Sequence, residues 1–326
     1  MANSIAKFKK YIDLLDEVYK QASCTSDLDG DSALVQAGAN ANEIIIPKLS
    51  MDGLADYSRN SGYVKGDVTL TNETVKFNYD RGRKFSVDNM DNEESAGLSF
   101  GKLSSEFIRV KTAPELDAFR FATYAGAEGI SKVSEGATLT TGNDVLPALV
   151  AAQNKMDEDE VSAENRILYI TPTLYNLMLN VNTNVSKAVL DSFVKVVKVP
   201  QSRFYTAIDL ADGTSGGETA GGYSKSEAAK DINFMIIQKS AVLQYPKHTV
   251  NKVVSPEENQ TDDSWMFFFR ATVLQTSTRT RRQVSICTTR HKEDVWQKQL
   301  DLPFRKLFRK IFRITILRTA ASTLRP

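Results

Sequence analysis

Residues 92–129, NEESAGLSFGKLSSEFIRVKTAPELDAFRFATYAGAEG, are the stretch that decides the fold of this chain. Apolar or small residues recur there at helical spacing, at Leu98, Leu103, Phe107, Val110, Leu116, Phe119, Thr123 and Ala127. This pattern predicts one long amphipathic helix. Glu93 and Glu94 suit its first turn, where negative charge meets free amide groups, and Gly129 stands where helices commonly end.

Pro114 is the exception within this helix, because proline lacks the amide hydrogen that an interior helical residue donates. We expect a kink at this point, or a second helix that begins there with Thr112 as its cap.

Short segments with alternating apolar residues precede the helix, between Asp67 and Asp88. Period two is typical of strands, and Asp80-Arg81-Gly82 has the composition of a turn. We therefore predict a projecting hairpin over residues 67–91 with a basic tip. The charged residues at and after this tip are candidate contacts between copies of the chain: Arg81, Arg83, Lys84, Asp88, Asp91, Glu93 and Glu94. Each exposed ion pair contributes only ~0–1 kcal/mol, so repetition around a ring is needed for such pairs to count.

The first 66 residues predict a helix followed by an extended arm. Residues 4–21 carry an apolar face at helical spacing, with Ser4 as the cap. Residues 23–66 are rich in Asp, Asn, Ser and Gly and contain one apolar island, Ile44-Ile45-Ile46-Pro47. So long an irregular segment is unusual in a compact monomer, and we expect another subunit to order it.

The chain after the long helix alternates helices and strands, which predicts a compact α/β lobe. Helices are predicted at 145–155, 173–179 and 186–193, and strands at 166–171, 194–199, 232–238, 250–254 and 264–274. The strand at 264–274 is the last one that the pattern supports.

The composition is that of a soluble globular protein with about two domains. Of the 326 residues, 41% are apolar and 25% are charged. No run approaches the roughly 18 apolar residues that a membrane helix needs, and the first 22 residues lack the apolar centre of a signal peptide. Cys24 and Cys287 are the only cysteines, too few for a disulfide framework. We expect a protein made in a cytoplasm, with no membrane partner.

Motifs for catalysis, cofactor binding or metal binding are incomplete. Residues 97–101 fit the G-x-S-x-G pattern but lie in the predicted helix, and His248 and His291 are the only histidines. Residues 27–31 begin like a calcium loop without its glycine and closing glutamate, and residues 213–222 lack the Lys of a phosphate-binding loop. We predict no enzyme, no cofactor and no metal site.

The net charge of +1 hides an uneven distribution. Residues 279–326 hold 13 Lys and Arg against 3 Asp and Glu, which leaves 28 basic against 37 acidic residues in the rest. Residues 304–318 also alternate apolar and basic side chains, a pattern suited to a membrane surface or to nucleic acid.

Five stretches resemble tailed-phage major capsid proteins with the Hong Kong 97 fold, in family order and over roughly residues 1–272. The stretches are Asp80–Glu94 (DRGRKFSVDNMDNEE), Ala113–Phe121 (APELDAFRF), Leu168–Pro172 (LYITP), Val199–Tyr205 (VPQSRFY), and Phe234–Lys247 together with Asp263–Arg270 (DSWMFFFR). No single stretch is specific, but their order over that length is.

The resemblance implies an α+β capsid subunit from a phage or prophage. Its expected parts are an N-terminal helix and arm (1–66), an extended hairpin loop (67–91), a spine helix of the peripheral domain (92–132), an axial α/β domain (133–245), peripheral return strands (246–278) and an atypical basic tail (279–326). The implied function is an icosahedral virion shell, built in the host bacterial cytoplasm from hexamers and pentamers. It would enclose double-stranded DNA without sequence specificity, and its further partners would be scaffold, portal and decoration proteins.

The chain departs from the family after Arg270. Codon degeneracy allows the nucleotides of residues 273–288, read from the third base of the Val273 codon, to encode TANEHEDKEAGIYMH, which resembles the family's ending. We therefore hypothesise a frameshift near residues 270–273, in which case the amphipathic tail is accidental.

Two other functions stay open at this point. An encapsulin-type shell of the same fold would enclose an enzyme instead of a genome. A basic-tailed DNA-binding protein, from a different class, would lose its DNA affinity when residues 279–326 are deleted.

Overall fold

The computed structural model describes residues 22–30, 36–37, 43–94, 98–127, 130–133, 136–181, 183–277 and 284–288. The predicted helices at 4–21 and 304–318 and the helix-ending Gly129 lie outside these ranges.

The strands are β1 (Gln36–Ala37), β2 (Glu43–Met51), β3 (Val68–Lys76), β4 (Tyr79–Asp88), β5 (Ser131–Lys132), β6 (Arg166–Ile170), β7 (Lys195–Lys198), β8 (Ile208–Leu210), β9 (Tyr223–Lys225), β10 (Ile232–Gln238), β11 (Val242–Val254), β12 (Ser264–Ser277) and β13 (Val284–Thr288). The α-helices are α1 (Asn89–Glu94), α2 (Leu98–Phe107), α3 (Ala113–Gly126), α4 (Gly142–Glu158), α5 (Pro172–Leu179) and α6 (Thr183–Asp191).

The described residues divide into two compact units. The first comprises the residues up to Arg120 together with those from Lys239 to 277, and the second comprises Phe121–Gln238 with 284–288. The finer division into six segments stays a prediction.

The first unit contains an antiparallel sheet in the order β11-β12-β4. Aromatic side chains on one face of this sheet pack against α2: the Phe107 ring centroid lies 4.8 Å from that of Phe85 and 5.8 Å from that of Phe269. Edge-to-face ring pairs of this kind are favourable beyond the area they bury. They attach the sheet to the long helix.

The predicted turn at Asp80-Arg81-Gly82 is wrong. These residues lie inside β4, which pairs with β12 from Asp88 to Tyr79 without interruption. A Cβ atom at Gly82 would lie 2.6 Å from the Phe269 carbonyl oxygen, so this glycine permits close strand approach instead of a turn. The hairpin is displaced accordingly: β3 pairs with β2 over nine residues, from Glu43 opposite Lys76 to Met51 opposite Val68.

The long helix is present as a continuous helical stretch over residues 98–126, and its geometry changes just before Pro114. Ile108–Thr112 form one π-helical turn, in which the Ala113 amide donates to the Ile108 carbonyl. The wider turn accommodates a proline that has no amide hydrogen. Thr112 is not a cap, because its hydroxyl is buried and finds no partner among the described residues.

The second unit is a five-stranded mixed sheet in the order β5-β13-β10-β6-β7. Leu149, Ala152 and Met156 of α4 pack with Leu168 of β6 and Phe234 of β10 in its main apolar core. All residues of β6 and β10 are buried, as in strands covered on both faces. The predicted helices and strands of this unit are confirmed in type, and their bounds agree with the structure to within three residues.

The prediction that no strand follows Leu274 is wrong. β12 continues to Ser277, and β13 inserts between β5 and β10. A buried strand such as β10 needs hydrogen-bond partners on both edges, and β13 provides them on one.

Among the described residues, no helix is both long and apolar enough to cross a membrane.

Candidate subunit interface

The hairpin of β2 and β3, with its connecting loop 52–67, is the most exposed part of the described chain; we call residues 43–76 the exposed ribbon. Every residue from 49 to 72 is solvent-exposed except Gly62, which is half-buried. Successive side chains of a strand point to opposite faces, so both faces of this part of the ribbon meet solvent. Nine residues per strand give it a length of about 30 Å.

The exposed surface of the ribbon is unusually apolar. Its large exposed hydrophobic side chains are Leu49, Met51, Leu54, Tyr57, Tyr63, Val64, Val68 and Leu70. Tyr63 is 90% exposed and Val68 is 69% exposed. So many large apolar side chains exposed on one hairpin indicate a surface that binds another molecule.

The tip of the ribbon nevertheless has a defined backbone. The Asp52 amide donates to the Asp67 carbonyl at 3.1 Å, and the Asp67 amide donates to the Asp52 carboxylate at 2.9 Å. Ser58 and Gly62 exchange backbone hydrogen bonds of 3.3 and 2.8 Å. Gly62 has φ +77°, a left-handed value that favours glycine. The loop is thus preformed for contact.

The candidate contact residues of β4 do not lie at a hairpin tip. Arg81 forms an ion pair inside its own chain, with 2.6 Å between its Nε and Oε1 of Glu115, and the hydroxyl of Tyr79 donates to the same oxygen. Arg83 and Lys84 are exposed on the strand, and the Lys84 ammonium lies 5.6 Å from the Phe268 ring centroid. The structure therefore places these three cations on a paired strand.

An unpredicted ion pair lies on the same strand. Arg270 donates to both carboxylate oxygens of Asp80, at 2.8 and 2.6 Å, and Thr272 donates to one of them. The hydrogen bonds from Arg270 hold the pKa of Asp80 below its ordinary value. The same contacts raise the pKa of Arg270. Together they fasten β4 to β12.

The acidic candidates lie at the start of the helical stretch. Asp88 accepts the Met90 amide at 2.9 Å and so caps α1, and Asp91 is exposed within α1. Glu93 and Glu94 belong to the same helix, but their side chains lie outside the described part of the structure. Asp88 and Asp91 are close in the sequence, but they share no contact among the described residues.

The sequence interpretation missed a buried polar cluster on α3. Asp117 and Arg120 are 0% and 1% exposed, although both are charged. The Asp117 carboxylate accepts hydrogen bonds from the Ser23 hydroxyl at 2.8 Å, the Cys24 amide at 2.8 Å and the Thr25 hydroxyl at 2.6 Å. Arg120 donates to the Thr25 hydroxyl at 2.8 Å. This cluster anchors residues 23–25 to the long helix.

A signal for this cluster was present in the sequence. The buried stripe of α3 runs through Ala113, Asp117, Arg120 and Tyr124, at spacings of four, three and four. A stripe defined by apolar residues alone is rotated toward Phe119, which is only half-buried. Two charges at stripe positions indicate buried partners elsewhere in the chain.

Among the described residues, no group of three or more His, Cys, Asp or Glu side chains could hold a metal ion. The exposed ribbon and the charged residues of β4 are candidate contact surfaces.

Comparison with known proteins identifies the fold. No family model matches the chain, and no curated protein matches its sequence. A structure from Mycobacterium phage Che8 is similar with a TM-score of 0.52 and 11% identity, covering 76% of this chain and 85% of that one. The capsid of cyanophage P-SCSP1u gives a TM-score of 0.50 and 11% identity, covering 78% of this chain and 85% of that one.

A virus-like particle from Pyrococcus furiosus is similar as well. Its TM-score is 0.54 at 11% identity, and the alignment covers 86% of this chain and 99% of that one. Identity this low shows the fold alone. The chain has an α+β capsid fold, and its resemblance to tailed-phage capsid proteins is confirmed.

Proposed function

We propose that this chain is a major capsid protein that self-assembles into the icosahedral head of a tailed phage. Its role is structural, its place is the virion, and its principal partner is a second copy of itself. The observation that carries the proposal is the exposed ribbon, taken together with the capsid fold.

The exposed ribbon requires a partner for energetic reasons. A two-stranded hairpin is marginally stable in water. β1 adds a third strand only opposite Ile44 and Ile45, and residues 49–72 pack on nothing that buries them. Burying a large apolar side chain such as Tyr63 or Leu54 stabilises by about 1.5–3 kcal/mol. Eight large apolar side chains along the ribbon therefore favour association strongly once a complementary surface is available.

The partner surface differs from the ribbon itself. A ribbon that lies on another part of the neighbouring copy makes a heterologous contact, and heterologous contacts close into rings. We assign the ribbon as the extended loop of a Hong Kong 97-type subunit, in place of residues 67–91. Residues 98–126 are then the spine helix, the first unit is the peripheral domain, and the second unit is the axial domain.

The charged candidate residues are not equally available for contacts between copies. Arg81 is engaged with Glu115 of its own chain, and Asp88 caps α1, so both contribute first to the fold of the subunit. Lys84 and Asp91 are exposed and are the better candidates for ion pairs between copies.

Packaged double-stranded DNA is a proposed partner without base recognition. The residues before 279 hold 28 basic against 37 acidic side chains. Such a surplus of negative charge opposes tight phosphate binding, which suits a shell that must let DNA enter and leave. Scaffold, portal and decoration proteins are expected partners of the same assembly.

Electron microscopy of the purified protein tests the proposal, with nuclease treatment of any particles formed. Closed particles that protect DNA when they are isolated from infected or induced cells support the phage head. A monomer that stays monodisperse at high concentration, from a gene with a verified reading frame, contradicts it.

A cargo shell is the second candidate, because the likeness to the Pyrococcus furiosus virus-like particle covers 99% of that chain. Mass spectrometry of particle contents separates the two functions. An enclosed enzyme without DNA favours the cargo shell, whereas genome-length DNA favours the phage head.

A further inference from the structure

We call residues Ser23–Gly30 the latch segment. Within the first unit, this segment makes further contacts besides those with the Asp117 and Arg120 side chains. Arg120 also pairs with Asp29 at 3.4 Å. The Gln244 side-chain amide donates to the Thr25 carbonyl at 3.0 Å and to the Asp29 carboxylate. Thr25 is 0% exposed and Leu28 is 1% exposed. The latch segment is therefore held from one end to the other by buried groups.

The far end of the latch segment lies against an aromatic ring. The Gly30 amide donates to the Gln244 carbonyl at 3.0 Å. A Cβ atom at Gly30 would lie only 3.0 Å from Cζ of Tyr245 and 3.1 Å from its hydroxyl oxygen. A side chain at Gly30 would require the ring to move by a few tenths of an ångström, so the position of the latch segment restricts the position of the ring.

The cluster that contains Tyr245 also contacts the base of the exposed ribbon. Tyr245 and Leu274 form a small buried cluster against which Val75 and Phe77 pack; we call these four residues the ribbon root. Val75 lies in β3, opposite Ile44 of β2, and Phe77 follows directly after β3. The latch segment and the base of the ribbon thus contact the same small cluster, which consists of Tyr245 and Leu274.

We propose that the latch segment and the ribbon root are one cooperative unit, in which docking of the segment fixes the ribbon and its release loosens the ribbon. The physical reason is that the hydrogen bonds of the latch segment are either made completely or lost, with no favourable intermediate. Asp117 and Arg120 are buried charges that lose hydrogen-bond partners when Thr25 leaves, so partial withdrawal is unfavourable. Tyr245 then loses the backbone that packs against it, and Val75 and Phe77 lose a rigid support. Any event that pulls on the chain before Ser23 would be transmitted to the ribbon by this route.

Native-state hydrogen exchange of the unassembled chain tests the proposal. In the wild-type protein, the amides of residues 28–30 and of residues 74–77 should exchange with the same opening equilibrium and respond together to low denaturant. Thr25→Val keeps the shape of the side chain but removes its hydroxyl, and should speed exchange about tenfold or more in both segments. Thr261→Val, at an exposed position, is the matched control and should leave both unchanged.

A second variant covers the case in which Thr25→Val does not fold. Gly30→Ala leaves every hydrogen bond in place and pushes the Tyr245 ring, so it should speed exchange at residues 74–77. Gly126→Ala, where no atom lies within 4 Å of the new methyl group, is its control. Faster exchange confined to the latch segment, or independent opening of the two segments in the wild type, would overturn the proposal. Since the measurement uses unassembled protein, its outcome is independent of whether the chain builds a shell.

Discussion

Replacing Leu54 and Tyr63 by Glu should abolish assembly without affecting the stability of the subunit. Both side chains are at least 90% exposed, and the one ring contact of Tyr63 is with Tyr57 of the same loop, so neither contributes much buried area to the isolated chain. Substitutions at such surface positions usually change the free energy of unfolding by no more than ~0.5 kcal/mol. The thermal midpoint of the double variant should therefore match that of the wild type.

The effect on assembly follows from the area that a neighbouring copy would bury. Loss of the two side chains removes about 3–6 kcal/mol of apolar burial per ribbon, since each contributes about 1.5–3 kcal/mol. A factor of ten in an equilibrium constant corresponds to about 1.4 kcal/mol, so each contact should weaken by roughly a hundredfold or more. Two buried carboxylates without partners would weaken it further.

Sedimentation and electron microscopy across a concentration series give the threshold for particle formation. The wild type should form particles at concentrations where the double variant remains a subunit or a small oligomer. Ala220→Glu, an exposed position in the loop between β8 and β9, is the control and should assemble normally. Particles of the double variant at the wild-type threshold would show that the ribbon tip makes no contact between copies.

Three further predictions concern β4 and the tail. Gly82→Ala should destabilise the subunit by about 1–3 kcal/mol in a denaturant titration, because its methyl group would collide with the backbone of the adjacent strand; Gly126→Ala, at an open position, should not destabilise it. The hydrogen bonds from Arg270 lower the pKa of Asp80. The pair therefore stabilises the fold at pH values above the ordinary carboxyl pKa of 3.8, and the stabilisation is lost as the pH falls through the lowered pKa. Arg270→Gln should therefore have a lower free energy of unfolding than the wild type at pH 6, and this difference should vanish in strong acid. Deletion of residues 289–326, which spares β13, should leave particle formation unchanged if the chain is a capsid subunit whose tail is out of frame. Absence of particles both with and without the tail, together with a large loss of salt-dependent DNA affinity on deletion, would instead favour the basic-tailed DNA-binding protein.

The second unit could be predicted closely because its elements are stabilised by their own neighbours. β10 was predicted at its observed bounds, and β6 within one residue, since each is an apolar run that the same lobe buries on both sides. α4 begins three residues earlier than the apolar pattern indicates. Thr141 and Asp144 form a capping box there, a signal carried by polar residues.

The predicted hairpin is misplaced because the same residue types, Asp and Gly, occur both in turns and in paired strands. Asp80-Arg81-Gly82 reads as a turn, yet this glycine lets two backbones approach and this aspartate holds Arg270 on the next strand. Both causes lie about 190 residues away in the sequence, where no local pattern can indicate them. β13 was missed for a related reason, since its five residues follow a run of basic side chains and are identified only by their pairing with β10.

The exposed ribbon shows why local sequence cannot supply the remaining information. In β3, Val68 and Leu70 alternate with polar residues and so share one face, which is the pattern of a buried face, whereas Val75, five residues after Leu70, lies on the opposite face. In the single chain, Val75 alone of these three packs against a core cluster, at the ribbon root, while Val68 and Leu70 stay exposed. The subunit therefore covers the face of β3 that carries Val75 at the ribbon root and leaves the face that carries Val68 and Leu70 exposed. A buried face encoded in the sequence but absent from the isolated subunit is the expected consequence when the covering surface belongs to another copy.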